Sequence, residues 1–161
     1  MFGFGKKKEL KLDKNLSAVF SGEIISLEKV KDPMFSEKML GEGFAIEPTD
    51  GKIFAPVSGK VTLVKDHALG FERADKLEVL LHIGIESVSL GEKPFTYKVK
   101  VGDIVEAGEE IGTVDFSQLE EANILKTAMI IFTNTEEKLA DFEVSYGECQ
   151  AGQTVGLVNT K

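Results

Sequence analysis

The sequence predicts an all-β fold, a sandwich or flattened barrel with little helix and an internal duplication. Three observations carry that prediction. Sixteen glycines are spread along the 161 residues and punctuate them. Short runs rich in β-branched residues lie between the glycines, which is the pattern of many short strands joined by turns. Two segments recur in diverged form, so part of the fold is built twice.

The strand runs, in chain order, are 22–27, 52–57, 60–64, 76–85, 96–101, 110–114, 129–132 and 154–158. Helix is confined to two places. A single turn fits 33–40, and a short helix fits 117–126 with Asp115 or Ser117 as its N-cap. The first repeat is Ser21-Gly22-Glu23-Ile24, echoed by Ser58-Gly59-Lys60-Val61. The second is A-G-x-x-[IV]-G-x-V, at 107–114 and again at 151–158. No linker divides the chain, so residues 16–161 form one domain and residues 1–15 a flexible tail.

Composition narrows the function classes. Hydrophobic residues make up 42% of the chain, enough for one sizeable core. The formal charge is −8 without an acidic run, which disfavours unspecific nucleic-acid binding and favours basic or neutral partners. Cys149 is the only cysteine, so no internal disulfide forms and a reducing compartment is expected. No run of about 18 apolar residues occurs, and the start lacks the apolar stretch of a signal peptide. The expected location is the cytoplasm. Phe2, Phe4 and Lys6-Lys7-Lys8 could give the tail a weak contact with an anionic membrane surface.

The two histidines, His67 and His82, carry the most chemistry. In the run 76–85, Leu77, Val79, Leu81, Ile83 and Ile85 share the core face by period 2. His82 shares the other face with Glu78, Leu80 and Glu86. A symmetric hairpin centred between Ala74 and Asp75 sets His67 directly opposite His82, with Cβ atoms about 4.5–5.5 Å apart. A neutral imidazole nitrogen is a nucleophile that can take a phosphoryl group. A second imidazole can donate a hydrogen bond to a phosphoryl oxygen, the kind of positioning that phosphoryl transfer needs. Gly84 is expected to let a partner's backbone approach. From the spacing alone the pair could also be two metal ligands, helped by Asp66, Glu78 or Glu86, or plain surface residues.

Several segments match a known family. They are Phe35-Ser-Glu-Lys-Met-Leu-Gly41-Glu-Gly43-Phe-Ala-Ile46, Ile53-Phe-Ala55-Pro56-Val57-Ser-Gly59-Lys-Val61, Asp66-His67-Ala68, Glu78-Val-Leu-Leu-His82-Ile-Gly84-Ile85-Glu86-Ser-Val88, Val101-Gly102-Asp103 and Phe132-Thr-Asn134. On these segments the chain resembles the glucose-type enzyme IIA of the bacterial phosphoenolpyruvate-dependent sugar phosphotransferase system, from about Phe20 to the end. The resemblance implies an antiparallel β-sandwich that needs no metal or organic cofactor. It implies that His82 is the phosphoryl acceptor and His67 the assisting histidine. It further implies that the donor is the phosphocarrier HPr and the acceptor a cysteine in the IIB domain of a sugar permease. Asp32, Met34, Phe35, Phe44, Gly84 and Glu86 then form an apolar docking patch with an acidic rim. Phe35 and Phe44 have ordinary core packing as their alternative.

The chain also departs from the family. Lys65 stands where a threonine usually helps orient the histidines, Thr127-Ala128-Met129 replaces a stretch containing proline, and the loop 90–95 is a variant. The main competing reading is a zinc-dependent hydrolase using His67 and His82, which lacks an obvious third histidine. A swinging-arm carrier modified at Lys126 is a further alternative, without the Ala-Met-Lys-Met string that a biotin site requires.

Overall fold

A computed structural model describes residues 8–161. The expected membrane contact of Phe2, Phe4, Lys6 and Lys7 falls outside the described residues. Regular elements follow in order: β1 (Asn15–Ser17), β2 (Gly22–Ser26), α1 (Pro33–Ser36), β3 (Glu42–Pro48), β4 (Lys52–Phe54), β5 (Gly59–Lys65), β6 (Ala68–Glu72), β7 (Glu78–Ile83), β8 (Phe95–Tyr97), β9 (Ile104–Val105), β10 (Glu110–Val114), α2 (Phe116–Glu121), β11 (Ala128–Phe132), α3 (Thr135–Lys138), β12 (Leu139–Val144), β13 (Gly147–Cys149) and β14 (Thr154–Thr160). The expected short turn is α1, capped by Asp32, whose side chain accepts from the Met34 amide. The expected later helix is α2, and Asp115 is its cap. Among the described residues no helix is long and apolar enough to cross a membrane.

The strands form an antiparallel sandwich of open sheets. Eight of them make one sheet in the order β13-β2-β3-β11-β7-β6-β5-β9, and two three-stranded sheets, β1-β14-β12 and β4-β10-β8, complete the fold. Leu16, Ile53, Ile111 and Val158 of the small sheets share one core with Ile46, Val79, Leu81, Ile83 and Ile130 of the large one.

The duplication has a structural counterpart. Ala18 and Ala55 each accept from the glycine amide of a repeated turn, Gly152 for Ala18 and Gly108 for Ala55. Each alanine amide donates in return, to Gln153 and to Glu109 respectively. The Ala151 amide donates to Ser21 Oγ and the Ala107 amide to Ser58 Oγ, both at 2.9 Å. The serines and alanines of the two repeats therefore occupy equivalent places.

The central strand β11 is buried at all five positions. Ala128, Ile130 and Phe132 face the main core, whereas Met129 and Ile131 face outward. A second, smaller core covers that outer face. It unites Met129, Ile131, Ala45 and Ile85 with Leu27, Val30 and Phe35 from the segment leading into α1. Burying each of its larger side chains stabilises by about 1.5–3 kcal/mol. The outer face next to β7 is therefore an apolar environment, half-shielded from water.

The stretch 61–72, which the expected hairpin centred between Ala74 and Asp75 would make a single arm, is itself a hairpin. Strands β5 and β6 pair from Lys60 opposite Glu72 to Lys65 opposite Ala68, leaving Asp66-His67 as a two-residue turn. Asp66 takes φ +48°, the positive value that such tight turns demand at their first position. The β6–β7 connection also differs from expectation. The Arg73 amide donates to Leu77 and Lys76 takes φ +74°, so the loop has three residues and ends in a left-handed one. An odd loop moves the register by one residue, and Ala68, not His67, stands opposite His82.

Arg73 locks this loop. Its side chain is 0% exposed and forks onto Asp75, with Nε to Oδ1 at 3.0 Å, while Nη1 donates to the Val158 carbonyl of β14 at 3.1 Å. Asn134 holds the start of β7: its Oδ1 accepts from the Glu78 amide and its Nδ2 donates to the Lys76 carbonyl, both at 2.9 Å.

Candidate functional site

His82 sits near the C-terminal end of β7 with its side chain on the outer face. The same lateral row holds Ile25, Ala45, Met129 and Ala68 on the neighbouring strands β2, β3, β11 and β6. The alanines beside it leave space above the sheet. Phe35 supplies a wall, its ring 5.1 Å from the His82 ring at an interplanar angle of 56°.

His67 reaches the same spot by another route than the expected strand pairing. Its carbonyl accepts from the Ile83 amide at 2.8 Å, so its backbone is opposite Ile83. In a regular strand that register would send its ring to the other face. His67 instead occupies the second position of the Asp66-His67 turn, where the backbone no longer alternates. The two rings meet edge to face, with centroids 4.5 Å apart and an interplanar angle of 71°. The expected pair is present, and the expected cause of it is not.

Both rings are held neutral. Burial pushes His82 from an ordinary 6.5 down to about 4, and the neighbouring His67 pushes the same way; the Gly84 backbone and Asp32 oppose them. Burial also lowers His67, with Asp66 raising it and Lys65 lowering it further. The Nδ1 atoms of both rings are buried and meet no hydrogen-bond partner of ordinary geometry among the described residues. Nε2 of each ring is therefore the nitrogen open to a reactant. A neutral, half-buried imidazole presenting an unshared pair at Nε2 is a nucleophile already stripped of competing water.

The residues expected to dock a partner divide. Met34 is 47% exposed on α1, next in the chain to Phe35, and Glu86 is exposed at φ +62°. Asp32 caps α1 and lies close enough to His82 to favour its charged form. Phe35 is only 3% exposed, and its contribution is the wall against the His82 ring. Phe44 is 1% exposed and packs in the main core, its ring 6.4 Å from that of Phe142. It is a core residue, the alternative that its sequence already offered.

Gly84 needs correction too. It is buried, with φ +86°, and a Cβ there would stand 3.0 Å from Ser87 Cβ and 3.1 Å from Leu119 Cδ2. The glycine lets β7 end in a tight turn packed on α2; it is not a landing place for a partner. Lys65 is exposed and reaches His67 through its charge alone, which suits it to draw an anion.

Sequence reading missed two parts of the site. Leu63, Gly70 and Leu80 pair laterally on the outer face two residues along from His82. With Glu72, Glu78 and Thr133 they line a depression of about 290 Å³, an apolar hollow with acidic edges. The missed β5–β6 hairpin hid it. The other is Tyr97, whose hydroxyl donates to the Asp66 carbonyl. No local motif points to that contact.

A metal centre would need a third ligand. Among the described residues, no group of three or more His, Cys, Asp or Glu side chains is placed to hold a metal ion. The hydrolase alternative thus lacks the ligand set it requires.

Comparison with known proteins agrees with the geometry. The family model for the phosphoenolpyruvate-dependent sugar phosphotransferase system, EIIA 1, matches residues 14–138. The PTS system glucose-specific EIIA component of Oceanobacillus iheyensis is 39% identical over 145 residues, covering 86% of this chain and 88% of its own length. The PTS system glucose-specific EIICBA component of Streptococcus pneumoniae is 42% identical over 125 residues, covering 76% of this chain but only 17% of its own length. Among solved structures, the glucose permease IIA from Mycoplasma capricolum superposes with a TM-score of 0.79 at 35% identity, covering 92% of this chain and 97% of that one.

Proposed function

The chain belongs to the EIIA family of the phosphoenolpyruvate-dependent sugar phosphotransferase system, where it is a phosphocarrier, and from that premise we propose that His82 Nε2 carries the phosphoryl group with His67 as its stabiliser. The observation that supports this reading is the pair of neutral rings 4.5 Å apart, each with Nδ1 buried, at the centre of a half-shielded apolar face.

Transfer needs complementary tautomers. His82 keeps its proton on Nδ1, toward the Gly84 backbone, so that the Nε2 pair is free to attack phosphorus. As the Nε2–P bond forms, the bond from phosphorus to its donor atom on HPr breaks, and that atom leaves with the electron pair. His67 carries its proton on Nε2 and donates it as a hydrogen bond to a phosphoryl oxygen. Lys65, exposed beside His67, adds attraction for the dianion. In the second transfer a thiolate of a IIB domain attacks phosphorus, the S–P bond forms, and the Nε2–P pair returns to His82. Low basicity of His82 makes it a good leaving group in that step, because the departing imidazole is stable as the neutral ring.

The docking face of this carrier is the apolar row around His82 with Met34 and Phe35 on one side and the Leu63–Gly70–Leu80 hollow on the other. Asp32, Glu72, Glu78 and Glu86 supply an acidic rim suited to a basic partner such as HPr, which it would steer by long-range attraction. The work is cytoplasmic, where HPr operates. Intact-mass measurement after incubation with phosphoenolpyruvate, enzyme I and HPr tests the assignment. One acid-labile phosphoryl group is expected on the parent protein and on His67→Gln, and none on His82→Ala. Labelling of His82→Ala, with none on His67→Gln, reverses the roles.

A further inference from the structure

Tyr97 stands on β8 of a small sheet, in the other layer from both histidines, and the transfer steps above make no use of it. Its hydroxyl crosses between the layers to the carbonyl of Asp66. We propose that Tyr97 is a positioning residue for phosphoryl transfer: its hydroxyl fixes the Asp66-His67 turn and thereby sets where the His67 ring stands relative to His82. The inference rests on the reading of His67 as the phosphoryl stabiliser.

A carbonyl fixes the plane of its peptide unit. The Asp66 carbonyl, held by Tyr97, fixes the plane between residues 66 and 67. The His67 carbonyl, held by the Ile83 amide at 2.8 Å, fixes the plane between residues 67 and 68. The two planes meet at the His67 Cα, so together they determine the direction of its Cα–Cβ bond. The ring itself offers no such anchor at Nδ1, which meets no hydrogen-bond partner among the described residues. The turn also needs holding, because Asp66 is in a left-handed conformation that costs a non-glycine residue free energy.

Tyr97 is itself built in. Its ring stacks on Phe95, centroids 6.3 Å apart and nearly parallel at 8°. Its partner across β10 is Gly112, where a Cβ would stand 3.0 Å from Tyr97 Cδ1. A larger residue at Gly112 would push the ring out of line with Asp66. Burial, with the charge of Asp66 behind it, raises the phenol above the ordinary tyrosine range, so it remains a donor throughout the working pH range.

Tyr97→Phe is the test, because it keeps the ring and its stack and deletes only the hydroxyl. On the unphosphorylated protein, the His67 imidazole titration followed by NMR is expected to move up toward the ordinary histidine value as the turn relaxes into water. In phosphoryl transfer to a IIB domain, the maximal rate is expected to fall roughly tenfold, inside the hundredfold that about 1 Å of misplacement can cost. The apparent affinity for the partner should stay unchanged. Val155→Ala, a core change in β14, serves as a control of lowered stability and should alter neither reading. A His67 titration in Tyr97→Phe that superimposes on the parent overturns the proposal, as does the same shift in Val155→Ala. Should the parent protein take no phosphoryl group at all, the carrier reading fails, while the His67 titration still decides the role of Tyr97. Should Tyr97→Phe fail to fold, Tyr146→Phe leaves Tyr97 as the single tyrosine for an absorbance titration. Resistance to ionisation up to unfolding is expected there, and ordinary ionisation in the folded protein refutes the clamp.

Discussion

Placing a histidine in an apolar half-shielded row has a consequence for stability that can be worked out and measured. His82 has an ordinary value of 6.5 in the unfolded chain and about 4 in the folded one. At about 1.36 kcal/mol for each unit of pH, the full displacement is worth about 3 kcal/mol. The folded value is the lower one, so on acidification the unfolded chain takes up the proton first. The contribution is complete above 6.5 and is lost as pH falls toward 4. Between pH 7 and pH 5 the loss from His82 alone amounts to about 2 kcal/mol. Burial lowers His67 as well, so it adds in the same direction. The perturbation is His82→Leu, and the assay is urea unfolding of parent and variant at both pH values. The parent should lose about 2 kcal/mol more than the variant on going to pH 5. At pH 7 the variant should be at least as stable as the parent, because it exchanges a half-buried imidazole for a leucine in an apolar row. Parallel losses in the two proteins, or an NMR midpoint for His82 near 6.5, would refute the reasoning that burial holds this ring neutral.

Two further outcomes follow from the residues that hold the site. Burial alone would push the Asp75 carboxyl up, but the Arg73 fork and the Thr160 hydroxyl hold it below the ordinary carboxylate range. That contribution is present above the ordinary carboxylate value and is lost as pH falls through the folded one; at neutral pH, Arg73→Met should cost about 3 kcal/mol in urea unfolding. Most of that should return in Arg73→Met with Asp75→Leu, and a cost in the single variant below about 1 kcal/mol would show that the pair does not lock the loop. Phe35→Ala should cost about 3 kcal/mol through the cavity it leaves and raise the His82 midpoint measured by NMR, since water then reaches the ring. An unchanged midpoint would mean that Phe35 does not shield His82.

Much of the fold was legible because its signals are local. The run 110–114 matches β10 residue for residue, and Asp115, one of the two caps expected for the later helix, is in place. Period 2 put Leu77, Val79, Leu81 and Ile83 inward and His82 outward, but Ile85, expected inward as well, lies past the end of β7 in the smaller outer core. What failed was set by parity and by distant contacts. A loop of two residues and a loop of three differ by one step of register, and the choice for β6–β7 depends on Lys76 accepting φ +74°, which its identity does not announce. The Asp66-His67 turn is equally silent, lacking the Asn-Gly or Asp-Gly signal of a tight hairpin. Strand β3 was missed because Glu42, Gly43 and Pro48 break the alternation at its ends, while its middle is buried on both faces. Phe44 looked like a docking residue because its face depended on β3. The clamp from Tyr97 to Asp66 joins two layers across 31 residues and had no local trace.

The central claim is that His82 Nε2, beside an unmodified His67, bears the phosphoryl group. Long-range proton–nitrogen NMR of the histidine-labelled protein, before and after phosphorylation through phosphoenolpyruvate, enzyme I and HPr, tests it most directly. One nitrogen alone, Nε2 of His82, is expected to acquire phosphorus coupling, with Nδ1 of the same ring remaining the protonated nitrogen and both nitrogens of His67 remaining unphosphorylated. Coupling at Nδ1 of His82, or at either nitrogen of His67, would contradict it.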